Sequence, residues 1–331
     1  MGQAIELQRY KYNPILKPDD FTKSDVGAVF NCGAVVTAEG KVVMLYRVVP
    51  SGYKKKTSGC GYDDYISSIG YAVSDDGYNF SLKEKAVITP QEKWDRYGCE
   101  DPRITRFSDN KGSTYLISYT ALATPAFSGL GGDRVALATT EDFTSYTRHG
   151  VIIPGLSDKD SVFFPERING KMVLLHRIPP NIQIAYFEDM EEIINTDKDY
   201  WSQQHKFVEK HTILKRKYAW ESVKIGAGPP PVKTEEGWLL IYHGVDEKHV
   251  YRAGVALLDL NNPLKVIARS PYPILEPKAD YEKYGDINNV VFPEGAVILD
   301  DTLFVYYGAA DKVCALATIQ VQDLLDHLRR P

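Results

Sequence analysis

The sequence predicts an all-β protein, a five-bladed β-propeller carrying one short C-terminal helix. Three observations lead there. Tyrosine is abundant, 22 of 331 residues, and β-branched runs alternate with Gly, Asp and Asn turns at short intervals, a composition suited to strands and tight connections. A hairpin-like unit recurs five times. Its starts lie roughly 63 to 69 residues apart, longer than a kelch or WD repeat, and a sustained period of that kind marks a repeat architecture.

The first unit runs from Gly33-Ala34-Val35-Val36-Thr37 through the turn Glu39-Gly40 into Val42-Val43-Met44-Leu45-Tyr46-Arg47. The second runs from Pro102-Arg103-Ile104-Thr105 through Asp109-Asn110-Lys111-Gly112 into Tyr115-Leu116-Ile117-Ser118-Tyr119. The third begins at Pro165-Glu166-Arg167-Ile168, turns at Asn169-Gly170 and continues as Met172-Val173-Leu174-Leu175-His176-Arg177. The fourth passes from Pro230-Pro231-Val232-Lys233 through Glu235-Glu236-Gly237 into Trp238-Leu239-Leu240-Ile241-Tyr242-His243. The fifth passes from Pro293-Glu294-Gly295-Ala296 through Asp300-Asp301 into Leu303-Phe304-Val305-Tyr306-Tyr307. Each hairpin has a following echo, such as Val135-Ala136-Leu137-Ala138 or Gly254-Val255-Ala256-Leu257.

The fifth unit is short at its C-terminal side. The roughly 30 residues before Gly33 are expected to supply its missing outer portion, closing the ring and removing exposed sheet edges. A β-sandwich would need no such period. Val321, Leu324, Leu325 and Leu328 fall at helical spacing and predict the C-terminal helix over 321–330. No long linker or low-complexity stretch divides the chain, so residues 1–331 are expected to form a single propeller domain.

Charge and composition narrow the function. A net charge of −5 leaves no footprint for nucleic acid, and Lys54-Lys55-Lys56 is a short run that reads as a solvated loop. No stretch of about 18 apolar residues occurs, and residues 1–17 hold no apolar leader, so no membrane partner and a cytoplasmic location are expected. Cys32, Cys60, Cys99 and Cys314 are scattered without metal-type pairing. Reduced thiols, no metal and no cofactor are the expectation. Gly129-Leu130-Gly131-Gly132 lacks the Gly-Lys-Ser/Thr of a phosphate loop and reads as a flexible turn. The tyrosine content is compatible with a homo-oligomer.

In a propeller the first strand of each blade lines the central channel, so positions of equal phase converge on one axis. Asn31, Asp101, Lys159 with Asp160, Lys224, and Asn288 with Asn289 sit just before or within those strands. Arg47, Arg177 and His243 end second strands, and Asp311 follows the last one. The densest cluster is Glu100-Asp101-Pro102-Arg103. Proline holds Asp101 extended at a strand mouth, and Arg103, two residues on, is expected on the same side as its carboxylate. Taken alone this stretch could be a salt-bridged turn. Around one cavity, an acid with several cations and amides looks like a carbohydrate site beside an anion pocket.

Inverting glycosidic cleavage needs a general acid at the leaving oxygen and a nucleophile from the opposite face. A water nucleophile requires a second carboxylate, roughly 6.5 to 9.5 Å away. A phosphate nucleophile requires instead a cluster of Lys and Arg that orients the dianion.

The chain resembles glycoside hydrolase family 130, the β-mannoside phosphorylases and their hydrolytic relatives, which are five-bladed propellers. The likeness is carried by Asn13-Pro14-Ile15-Leu16, Phe30-Asn31-Cys32-Gly33-Ala34, Leu45-Tyr46-Arg47, Glu100-Asp101-Pro102-Arg103, Phe164-Pro165-Glu166-Arg167, Lys224-Ile225-Gly226-Ala227-Gly228-Pro229-Pro230, Tyr242-His243-Gly244-Val245, Asn289-Val290-Val291-Phe292-Pro293 and Tyr306-Tyr307-Gly308-Ala309-Ala310-Asp311. The resemblance implies that Asp101 is the general acid, its proton passing through the 3-hydroxyl of the bound mannose. It implies that Lys159, Arg177 and Lys224 hold phosphate, with His243 beside them. Asn31, Cys32, Arg47, Phe292 and Asp311 would shape the mannosyl pocket, with Glu100 and Arg103 as neighbours that position Asp101. The implied reaction is phosphorolysis of β-mannosides, β-1,2-linked mannobiose or oligomannan ahead of β-1,4-linked substrates, giving α-mannose 1-phosphate with inorganic phosphate as co-substrate.

Three departures from the family pattern stand out. Cys32 replaces a common serine, and Glu294 replaces a small residue, where a carboxylate could act as the base for water in a hydrolase. The segment 51–65 is an insertion relative to shorter members and is expected to edit the acceptor side of the cleft. Two alternatives remain open at this point, a hydrolase of the same family and a non-catalytic sugar-binding propeller. Blander roles also exist: a solvated Lys224, a strand-capping Arg177 paired with Glu166, and a core position for His243 or Phe292.

Overall fold

A computed structural model describes residues 4–21, 25–58, 61–110 and 112–329. Five antiparallel sheets succeed one another around a common axis. Blade I is Ala28–Val36, Val42–Val49, Ser68–Ser74 and Ser81–Ile88, from the axis outward. Blade II is Cys99–Asp109, Gly112–Leu122, Asp133–Thr140 and Thr147–Val151, and blade III is Lys159–Phe163, Met172–Arg177, Ile182–Phe187 and Thr212–Leu214. Blade IV is Lys224–Ala227, Trp238–Val245, Tyr251–Leu258 and Val266–Arg269. Blade V is Val291–Leu299, Thr302–Ala309 and Val313–Gln320, and its outermost strand is the N-terminal Gln8–Arg9, with Gln8 opposite Thr318 and Arg9 opposite Ala317.

The second strands Val42–Val49 and Trp238–Val245 are buried at every residue. Each blade is covered on both faces by its neighbours, so these strands read as continuous apolar runs rather than alternating ones. The core is accordingly split into wedges between successive blades. Leu45, Ile69, Ile104 and Ile117 fill the wedge between blades I and II, and Leu239, Val255, Val305 and Tyr307 fill that between IV and V. The remaining wedges are built the same way.

A polar device repeats at the outer end of three blades. In blade IV, Glu221 accepts both Nη2 bonds of Arg269 at 2.7 Å, the Tyr242 hydroxyl at 3.0 Å, and the amides of Lys217 and Tyr218. In blade V, Glu282 does the same with Arg9 at 2.8 and 3.0 Å, the Tyr307 hydroxyl at 2.8 Å, and the amides of Lys278 and Ala279. In blade II, Asp95 takes the amides of Gln91 and Glu92 and pairs with Arg148, which also donates to the Tyr119 hydroxyl. Each carboxylate sits in the connection entering a blade, each Tyr on the second strand and each Arg on the outermost one. A buried charge is tolerable only when its lone pairs are all used, and here they are.

Two features depart from the sequence reading. Residues 190–211, between the third and fourth strands of blade III, carry the helices Met190–Ile194, Lys198–Lys206 and Val208–His211, in addition to the C-terminal helix Val321–Arg329. Their polar composition hides them, although Asp189 and Asp197 cap the first two through the amides of Glu192 and Tyr200, and Trp201 anchors the second in the core. In blade IV the inner strand stops at Ala227 and a separate pair, Val232–Lys233, resumes against Trp238 and Leu239. Pro229, Pro230 and Pro231 have no amide to donate to the ladder between them. The C-terminal helix is as expected, with Leu324, Leu325 and Leu328 buried. No helix among the described residues is long and apolar enough to cross a membrane.

The repeated carboxylate device carries a testable cost. Glu282→Ala leaves Arg9 with only Glu6 and the Glu276 carbonyl and the two amides without their acceptor, and the loss is expected to be about 3 kcal/mol. Glu236→Ala, at the exposed pair with Arg329, should leave the unfolding midpoint unchanged. Denaturant melts of the two variants side by side decide the point.

Candidate active site

The first strands of blades I, II and III each carry a bulge at the same phase. The ladder of Ala28–Val36 skips Asn31, that of Cys99–Asp109 skips Asp101 and Pro102, and that of Lys159–Phe163 skips Asp160 and Ser161. Asn31, Asp101 and Asp160 stand at φ of 48°, 54° and 57°. Asn and Asp adopt this left-handed region more readily than other non-glycine residues, and a bulge re-aims the side chain it carries. All three line one axial cavity of about 240 Å³.

On one side of the cavity lies the acid. Asp101 Oδ1 accepts from Asn31 Nδ2 at 2.8 Å and from Arg47 Nη1 at 3.2 Å. Among the described residues Oδ2 accepts no hydrogen bond. Arg47 also pairs with Glu100 and donates from Nε to Ser67 Oγ at 2.8 Å, while that hydroxyl donates to Glu100 Oε1 at 3.2 Å. Burial pushes the Glu100 carboxyl up, Arg47 opposes, and Asp101 beside it adds to the rise. Asp311 keeps one edge on the cavity but is otherwise enclosed. Burial raises it to about 7 against the pull of Arg47, with Asp101 and Asp286 pushing in the same direction as burial.

On the other side lie the cations. Arg177 Nη1 is 3.0 Å from Asp160 Oδ2. Burial would raise the Asp160 carboxyl, but Arg177 above all, with Arg103, outweighs it and holds it well below the usual carboxylate range. Lys159 Nζ lies 3.5 Å from Asp133 Oδ2. Lys224 has no carboxylate within ion-pair distance among the described residues, and its ammonium lies 5.4 Å from the centre of the Tyr251 ring. Burial, then Arg177, lowers it to about 8. His243 is fully buried with both ring nitrogens unbonded, Nε2 being 3.6 Å from Asp160 Oδ2. Burial pushes it far below the ordinary imidazole value, so the ring is neutral. Phe292 packs on it with ring centres 4.4 Å apart.

Of the residues singled out in the sequence, Asn31, Arg47, Glu100, Asp101, Lys159, Arg177, Lys224, His243, Phe292 and Asp311 all line this cavity. Three do not. Cys32 follows the Asn31 bulge, which turns it away from the axis into the wedge with Tyr46 and Cys314, where it is fully buried. Arg103 also lies behind the cavity wall. Because the bulge spans Asp101 and Pro102, its guanidinium does not run beside the Asp101 carboxylate; it bonds the Asp101 carbonyl at 3.1 Å and Asp160 Oδ1 at 3.2 Å, and Arg47 takes the carboxylate instead. Glu294 is buried 3.2 Å from Arg103 with no open path to the cavity, and burial raises its carboxyl well above the usual range despite Arg103. A base for water is therefore not what this side chain supplies. Glu166 pairs with Lys233, not Arg177. Cys60 lies outside the described residues.

Sequence reasoning missed the role of Asp160, although its phase relation to Asn31 and Asp101 was a usable signal. It also missed Ser67 and Phe127, in connections of blades I and II, and Asp133 and Tyr251, which begin the third strands of blades II and IV. Among the described residues no three His, Cys, Asp or Glu side chains converge as a metal-holding group. The arrangement suits an anion between Lys159, Arg177 and Lys224, facing a carboxyl with one free oxygen.

The chain as a whole is similar to known proteins. The family description "beta-1,4-mannooligosaccharide phosphorylase" of glycoside hydrolase family 130 matches residues 6–330. The chain belongs to glycoside hydrolase family 130. A β-1,2-mannobiose phosphorylase of Thermoanaerobacter sp. strain X514 is 42% identical over 325 residues, covering 96% of this chain and 98% of that protein. A 1,2-β-oligomannan phosphorylase of the same organism is 39% identical over 327 residues, covering 97% and 99%. The structure of the β-1,2-mannobiose phosphorylase from Listeria innocua, complexed with β-1,2-mannobiose, superposes with a TM-score of 0.80 at 32% identity, covering 99% of this chain and all of that one. The family-130 fold is thus present end to end.

The position of Asp311 predicts a pH effect. Its carboxyl titrates near 7 when folded and near 3.9 when unfolded. The folded chain holds this proton more tightly, so the stability contributed is complete below about pH 4 and is lost as pH rises through 7. Asp311→Asn should raise the thermal midpoint more at pH 8 than at pH 5. Melting curves at the two pH values test this, and an equal shift at both contradicts it.

Proposed function

We propose that this family-130 protein is an inverting phosphorylase of β-1,2-linked mannobiose and oligomannan, releasing α-D-mannose 1-phosphate and a shortened sugar. The observation that carries this reading is Lys224, a cavity-lining ammonium with no carboxylate at ion-pair distance among the described residues, grouped with Arg177 and Lys159 across the cavity from Asp101. Three cations around one space bind a dianion far better than they activate water. The β-1,2 linkage is preferred to β-1,4 because the relatives at 39% and 42% identity carry β-1,2 names.

In this mechanism Arg47 and Asn31 both donate to Asp101 Oδ1, which leaves Oδ2 to carry the transferable proton. The proton passes through the mannosyl 3-hydroxyl to the glycosidic oxygen as its bond to C1 breaks. Phosphate, oriented by Lys159, Arg177 and Lys224, forms the new C1–O bond from the opposite face, so configuration inverts. Neutral His243 and Phe292 form the wall beside it. Inorganic phosphate is a co-substrate, and side chains alone are assigned the chemistry. A cytoplasmic location belongs to the same proposal, since the reaction consumes phosphate and yields a charged sugar phosphate. A hydrolase would need a second carboxylate free to act as base; Glu294 is enclosed, Asp160 is tied to Arg103 and Arg177, Asp133 pairs with Lys159, Glu100 pairs with Arg47, and Asp311 lies on the acid side near Arg47 and Asp101.

Incubating β-1,2-mannobiose with and without phosphate tests the reading. The expected product is α-mannose 1-phosphate formed only with phosphate; free mannose released equally in both tubes overturns it. Asp101→Asn should lower turnover by about 10²- to 10⁴-fold at nearly constant shape. Lys224→Ala should raise KM for phosphate about 10- to 100-fold, the loss of a charged hydrogen bond. In the unaltered enzyme, KM for phosphate should rise as pH passes about 8, where Lys224 loses its proton. Initial rates from pH 7 to 9 measure that dependence, and a KM that stays flat across it removes Lys224 from the anion site.

A further inference from the structure

Two loops interlock beside the cavity. The segment 51–65 folds back on itself as the short ribbon Lys54–Lys55 and Tyr62–Asp63. It is moored to the loop before blade V: Tyr53 and Tyr65 donate to Asp286 Oδ2 at 2.5 and 3.2 Å, Tyr62 donates to the Asp286 carbonyl at 3.0 Å, and Lys312 Nζ donates to the Tyr53 hydroxyl at 2.7 Å. Opposite it, the connection 123–132 of blade II carries Phe127.

Phe127 is held in an unusual way. Its φ is 59°, a region that a bulky residue enters only at a cost. Its carbonyl accepts from Lys56 Nζ at 3.3 Å. Its ring lies so close on Gly61 that a Cβ there would stand 2.2 Å from Phe127 Cγ, and Gly61 itself has φ of 92°. Tyr62 and Tyr65 meet it edge-on, with ring centres 6.3 and 5.7 Å away. The side chain nevertheless remains 37% exposed and lines the cavity. Gly61, Tyr62 and Tyr65 of the ribbon thus pin one aromatic ring that lines the site, and Lys56 holds its carbonyl.

We propose that Phe127 is the stacking platform for the sugar on the leaving-group side of the scissile bond, and that the 51–65 ribbon exists to hold it there. The α face of a β-mannopyranose carries the axial hydrogens of C1, C3 and C5 and is apolar, which suits an aromatic face. Phe127 comes from blade II and its ring contacts come from the ribbon of blade I, whereas Lys159, Arg177 and Lys224 come from blades III and IV. This assignment rests on the proposed action on β-mannosides, but not on whether phosphate or water cleaves them.

Calorimetry on protein carrying Asp101→Asn, which binds without turning over, reads the assignment directly. Adding Phe127→Ala should weaken β-1,2-mannobiose binding about tenfold while leaving mannose binding in the neighbouring pocket unchanged. Phe127→Tyr should restore it, and Gly61→Ala, which displaces the ring, should reproduce the loss. In otherwise unaltered enzyme, Phe127→Ala should raise KM for the acceptor mannose in the synthetic direction without altering KM for α-mannose 1-phosphate. Equal weakening of mannose and mannobiose means a structural role and overturns the proposal, as does unchanged mannobiose affinity. Absence of phosphate-dependent turnover in the unaltered enzyme would instead reject the phosphorylase reading and leave the binding result to stand or fall by itself.

Discussion

At the axis of the propeller sits the guanidinium of Arg103, 1% exposed, bonded to the carbonyls of Asp101, Ala227 and Gly228, to Asp160, and close to Glu294. An unpaired charge there would cost several kcal/mol or more, so the strands that supply its partners are confined to positions from which they reach it. Those partners come from blades II, III, IV and V. The same contacts set the backbone of Asp101 and the carboxylate of Asp160. Through Asp160 they also set Arg177, so the acid side and the cation side of the cavity share one buried node.

The bulges make this possible. Regular inner strands would send alternate side chains into the wedges between blades, where Cys32 goes. Skipping a residue in the ladder at Asn31, Asp101 and Asp160 breaks that alternation and delivers polar side chains to the axis at the price of a left-handed backbone. At the periphery, the repeated Glu or Asp with Arg and Tyr anchors the connection that enters each of blades II, IV and V. The floor of the site is therefore held from several blades at once, while its rim is built from connections such as the 51–65 ribbon.

Much of this was legible in the chain. The five apolar second strands stand out because burial on both faces removes the alternation that would otherwise mask them, and their spacing is the blade period. Nine cavity residues could be named because a propeller brings equal phases together, while Glu100 came with the Asp101 cluster and Phe292 from the family resemblance. Cys32, Arg103 and Glu294 could not be placed, since one skipped residue reverses the face of everything after it until the register is regained. The helices within 190–211 were hidden by polar composition. Phe127 sits in a loop without period, and nothing local marks it as a ring that a distant ribbon holds in place.

By itself, then, the sequence determined the blade count, the radial arrangement and the chemical types available at the axis, because these follow from periodic burial and from residue identity. Only the tertiary structure decided which charges pair and which stay free: Arg47 rather than Arg103 on the Asp101 carboxylate, Asp160 between two arginines, Lys224 without a carboxylate. Pairing depends on approaches of a few ångströms between blades far apart in the chain, and on bulges whose cost is repaid only once those partners are present.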